Sequence, residues 1–173
     1  LISFFRNLFF VCLVLFPGLI LVAQTKTTKL QTKTWILKDQ KGNWKPMELV
    51  WEESSGAIAP EFRYGKHYRL VTSKNKILLT RQQSRAGKQI LNETREISAV
   101  NYESWMQKLF NTGITSLTIE PSPEETITGV SYNFVSFKFD STKSKFYYML
   151  EDKKKPSQKQ KISIIQIIER MKP

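Results

Sequence analysis

Between residues 130 and 150 two aromatic runs flank a polar turn. Tyr132, Phe134, Phe137 and Phe139 lie on the first run, and Phe146, Tyr147 and Tyr148 on the second. Large aromatic side chains on either side of Asp-Ser-Thr-Lys predict an antiparallel hairpin that supplies one wall of a core. The apolar parity shifts within its first strand. Tyr132 and Phe134 share one face, while Phe137 and Phe139 share the other. That shift predicts either a bulge near 134–135 or a strand covered on both faces. Upstream, alternation at 44–52 puts Met47, Leu49 and Trp51 on one face of a strand. Short runs at 35–38, 66–72, 76–82, 89–97 and 115–120 predict further strands. Turn residues at 40–43, 73–75 and 85–88 connect several of them.

Two stretches switch to helical period. Tyr102, Trp105, Met106, Leu109 and Phe110 fall at i, i+3, i+4, i+7 and i+8, one apolar stripe of a helix at 101–112. Asn101 is its expected N-cap, and Gly113 suits the left-handed position past its end. Near the C-terminus, Ser157 and Gln160 have capping-box spacing. Ile162, Ile164, Ile165, Ile167, Ile168 and Met171 follow on a broad face that should dock on the sheet. The pattern therefore predicts an α+β fold. It has a mostly antiparallel curved sheet of about eight strands, a helix inserted after the fifth strand, and a C-terminal helix at 158–172.

The first residues do not belong to that domain. An apolar run at 8–23 follows Arg6, is broken by Pro17-Gly18, and ends at Ala23 before polar Gln24. This is the layout of a signal peptide over 1–23, cleaved after Ala23, and it predicts a secreted or periplasmic protein. The alternative is an uncleaved N-terminal membrane anchor. Residues 24–34 read as a basic flexible leader, and 35–173 as a single domain.

Composition narrows the chemistry. Cys12, inside the apolar run, is the only cysteine, so the exported part has no disulfide and no thiol nucleophile. His67 is the only histidine and has no evident partner for acid–base work. No metal-ligand spacing or glycine-rich phosphate loop occurs. Adjacent carboxylates at Glu52-Glu53, Glu124-Glu125 and Glu151-Asp152 are expected in solvent. These features predict a non-enzymatic protein without a cofactor.

Charge supplies the functional hint. The net charge is +12. Residues 63–95 carry nine basic side chains and a single acid, Glu93. If the turns gather at one end of the sheet, their cations form a rim able to hold anionic groups. The candidate anion-contacting residues are Arg63, Lys66, Arg69, Arg81, Arg85, Lys88, Lys143 and Lys145. The expected partner is an anionic envelope polymer, a lipid headgroup or a protein. Nucleic acid is not expected, because an export signal is present and no nucleic-acid motif is.

An early Trp35, a strand meander and a C-terminal helix resemble the order of elements in lipocalin-like barrels. Lys33-Thr34-Trp35 stands where many such proteins have Gly-x-Trp. The resemblance implies a closed barrel as the alternative fold, and a carrier of a small hydrophobic ligand in a β-cup as the alternative function.

Overall fold

The computed structural model describes residues 35–73, 75–123 and 132–173. The expected signal peptide, the basic leader and the Glu124-Glu125 pair lie outside them. The strands are β1 (Met47–Ser54), β2 (Tyr64–Ser73), β3 (Lys76–Arg85), β4 (Lys88–Glu96), β5 (Asn133–Phe139) and β6 (Thr142–Tyr148). They form one antiparallel sheet in the order β4-β3-β2-β1-β5-β6. The fold is α+β as expected, but the sheet is open, with β4 and β6 at its edges. The lipocalin-like barrel is thereby overturned.

Among the described residues, six strands stand where about eight were expected. The stretch at 35–38 makes a single bridge, Lys38 to Trp44. Asp39 closes a tight loop there, its Oδ1 accepting the N–H groups of Lys41 and Asn43 at 2.8 and 2.9 Å. Trp35 stacks on Phe110, centroids 4.2 Å apart, and so packs against a helix instead of extending a ladder. The stretch at 115–120 opens in a 3-10 turn, Ile114–Ser116, and touches β6 through one parallel bridge, Ile119 to Lys145.

Helix α1 (Ala99–Asn111) carries the chain from the β4 edge back to β5, and α2 (Lys159–Glu169) follows β6. Tyr102, Met106, Leu109 and Phe110 of α1 join Ile164, Ile165 and Ile168 of α2 in one core. The inward strand residues, among them Leu49, Trp51, Leu70, Leu79, Phe137 and Phe146, complete it. Each fully buried side chain of this size contributes about 1.5–3 kcal/mol. The aromatic residues that a β-cup would have needed for its ligand are packed under the helices instead.

The parity shift in β5 has a simpler cause than either expectation. Pairing with β6 runs without a bulge from Asn133 to Phe139, and Asn133, Val135, Phe137 and Phe139 all point inward. Phe134 points outward onto Tyr147, and the Lys145 ammonium lies 5.0 and 4.9 Å from the two ring centroids. A cation over two rings makes an aromatic pair tolerable on a wet face.

The helix ends are also reassigned. Ser98, not Asn101, caps α1, its side chain accepting the Asn101 N–H at 3.3 Å. Gly113 takes the left-handed conformation as expected, with φ 83°. Gln160 does not close a capping box. Its Nε2 donates to the carbonyls of Thr112 and Gly113 at 3.1 and 3.2 Å, tying α2 to the free end of α1. A Cβ on Gly113 would meet that Nε2 at 2.6 Å, whereas one on Gly87, at φ 74°, would meet nothing within 4 Å. Gly113→Ala should therefore cost about 1–3 kcal/mol in urea unfolding. Gly87→Ala should cost less, since it carries only the backbone strain.

Candidate functional site

The sheet has two unlike ends. The β2–β3 turn and the β5–β6 turn lie at one, because Met47 pairs with both Thr72 and Phe139. The β3–β4 turn lies at the other, beside the ends of β1 and β6. The turns therefore do not gather, and the eight candidate cations separate.

Three of the eight meet at the β3–β4 end. Arg85 pairs with Lys88 across the turn, and Arg63 accepts the Ala86 N–H at 2.7 Å through its backbone carbonyl. All three side chains are exposed, and among the described residues none has a carboxylate within 4 Å. The turn itself is stiff. Ala86 and Gly87 both take positive φ, 49° and 74°, as a two-residue hairpin of the tightest type requires.

Three others are neutralised locally. Arg69 binds Glu48 at 2.8 Å on the outer face. Arg81 is held between Glu93 at 2.9 Å and the Met171 carbonyl at 3.3 Å. Lys66 pairs with Glu169 and lies 3.7 Å from Glu53. Lys143 and Lys145 are on β6, five strand positions from β4, or about 24 Å across the sheet.

The β3–β4 end also contains a residue whose environment was misjudged from sequence. Glu53 was expected in solvent and is 3% exposed. Its alternation with Met47, Leu49 and Trp51 brings it to the inner face, while Glu52 faces outward to His67 at 3.1 Å. Tyr148 donates to Glu53 Oε2 at 2.7 Å and itself accepts the Trp51 indole N–H at 2.7 Å. Tyr64 donates to Oε1 at 3.2 Å, and the Lys153 ammonium lies 2.5 Å from Oε2. Burial works to raise the carboxyl pKa. The hydrogen bonds from Lys153 and Tyr148 and the charges of Lys153 and Lys66 outweigh it, holding Glu53 below its ordinary value. The same site pushes the Tyr64 phenol up to about 12, through burial first and then the charge of Glu53.

This carboxylate is saturated with donors and its pKa is held below the ordinary value, so it is a weak proton acceptor. Its chemistry is structural: it anchors β1, β2, β6 and the 3-10 turn Leu150–Lys154 to one point. Beside it opens a polar cleft of about 620 Å³, whose walls include Lys66, Gln82, Gln83, Gln89 and Asn133. Asn133 accepts the Ser54 N–H at 2.7 Å, and its buried amide nitrogen has no partner among the described residues.

No family model, curated protein or solved structure matches this chain. Its function must therefore be argued from this end of the sheet alone. The exposed Arg63, Arg85 and Lys88 were legible as candidates from charge density. Glu53, Tyr148 and Asn133 were not. The available signal for Glu53 was its parity with Trp51, and for Asn133 its parity with Val135.

Proposed function

We propose that the chain is an exported, non-catalytic binding module that engages an anionic partner through Arg63, Arg85 and Lys88. The observation that carries this reading is the meeting of three exposed cations, free of carboxylates among the described residues, on a stiff turn. A rigid turn loses little conformational entropy when a partner docks, so more of the charge attraction appears as affinity. The polar cleft alongside offers side-chain amides, Gln89 among them, for the partner's oxygens. The export signal read at 1–23 supports an encounter outside the cytoplasm, where anionic envelope polymers and lipid headgroups are available.

The test is retention on an anionic polymer as salt is raised. Binding by exposed cations falls with ionic strength, because the screening length shortens from about 10 Å at 0.1 M to about 3 Å at 1 M. Each cation near an anionic surface is worth about 1 kcal/mol. Reversal of Arg63, Arg85 and Lys88 to Glu should thus weaken binding at least about a hundredfold, with an unchanged circular dichroism spectrum. Retention indifferent to salt and to the triple reversal would remove the reading.

A further inference from the structure

Apolar side chains share the β3–β4 end with these cations. Phe62 is 68% exposed, Ile90 61% and Ile58 41%. Phe62 ends a 3-10 turn at Pro60–Phe62, opened by a proline. Ile90 is the extra residue of a bulge: Gln83 pairs with Leu91 and Ser84 with Gln89, leaving Ile90 without a partner. A bulge re-aims a side chain, and here Ile90 comes to the same groove as Phe62. Together they line a groove of about 380 Å³ with Tyr64, Arg85 and Lys66. Ile58 stays near through Arg63, whose Nε donates to the Ile58 carbonyl at 2.7 Å. Glu61, on the same 3-10 turn, is the acid that partly offsets the cations.

From this arrangement we infer that the β3–β4 end docks on an anionic lipid bilayer. Phe62 and Ile90 enter the headgroup region, and Arg63, Arg85 and Lys88 contact the lipid phosphates around them. The inference rests on the anionic-partner reading and names the partner. The combination is that of interfacial anchoring, in which apolar burial and attraction to anionic lipid add. Phe62 comes from a 3-10 turn and Ile90 from a strand bulge, and both stay mostly exposed at the rim of an open groove instead of flooring a closed pocket. A bilayer yields around projecting side chains, whereas an acidic peptide would have to supply matching cavities.

The experiment compares variants of the exported form, beginning at Gln24, on vesicles of phosphatidylcholine with and without phosphatidylglycerol, and on soluble dextran sulfate. The apolar run at 8–23 is left out because it would itself partition into either kind of vesicle. The wild type should prefer anionic vesicles in a salt-sensitive way. Phe62→Ser with Ile90→Ser should weaken vesicle binding about tenfold or more and leave retention by dextran sulfate unchanged. Phe62→Trp should show blue-shifted emission on anionic vesicles only. If the double serine variant binds vesicles as the wild type does, or the tryptophan does not shift, insertion is overturned while charge reversal still tests the broader reading. Retention by dextran sulfate or polyglutamate without vesicle binding overturns the bilayer alone. A wild type held by none of these surfaces overturns both.

Discussion

Glu53→Ala lowers the unfolding free energy by about 3–5 kcal/mol, the range for breaking a buried pair by removing one partner. The loss is large because the carboxylate is shared. Lys153, Tyr148 and Tyr64 each lose their acceptor, and Lys66 is left with Glu169 alone. The pH dependence follows from the directions of the shifts. Glu53 has a folded pKa below its ordinary value of 4.5. Its contribution is present above the unfolded pKa and disappears as pH falls through the folded one, so the loss begins below about pH 5. Lys66 is raised above 10.5: burial works to lower it, but the hydrogen bond it donates to Glu169 and the charges of Glu169 and Glu53 outweigh that. That contribution is present below the unfolded value and is lost as pH rises past it. Tyr64, at about 12, works in the same direction, since the folded state holds its proton longer. Urea midpoints should therefore be flat from about pH 6 to 9 and fall on both sides. Glu53→Gln should shrink the acid limb and leave the part owed to Glu48 and Asp152, whose carboxyls are also held below their ordinary values.

Phe137→Ala should cost about 3–5 kcal/mol in the same unfolding experiment. Phe137 is fully buried in the middle of β5 and meets Phe110 of α1 edge-on, centroids 6.1 Å apart. Removing it opens a cavity at the contact between sheet and helix, where neither side can collapse without moving an element. Phe62→Ala offers the contrast. The same side-chain deletion at 68% exposure should change stability by no more than about 0.5 kcal/mol. A phenylalanine that stability does not require is consistent with an anchor for something outside the chain.

Much of the scaffold was legible because it obeys simple periods. Tyr102, Met106, Leu109 and Phe110 announced α1, and Met47, Leu49 and Trp51 announced the inner face of β1. Features that depend on tertiary partners were hidden. The strand-like runs at 35–38 and 115–120 have β-prone residues, yet a tight Asp39 loop and a 3-10 turn keep each to one bridge with the sheet. Ser157 and Gln160 have capping spacing, but the carbonyls of Thr112 and Gly113 give Gln160 a better use. Phe134 broke the alternation of β5 because Lys145, on the neighbouring β6, shelters it. The burial of Glu53 needs Lys153 and Tyr148, which are about a hundred positions away. At the candidate site, charge density picked out the exposed Arg63, Arg85 and Lys88 and also several cations that pair with Glu48, Glu93 and Glu169. Density alone cannot separate free charges from neutralised ones.

The central claim is that binding belongs to one end of the sheet and not to net charge. Two triple reversals carry the same charge change: Arg63, Arg85 and Lys88 to Glu at the β3–β4 end, and Lys76, Lys143 and Lys145 to Glu elsewhere on the sheet. Elution from an anionic matrix across a salt gradient compares them directly. The account predicts that the first triple elutes near the void and that the second stays close to the wild type. Equal loss in both variants would mean a diffuse basic surface and would contradict it.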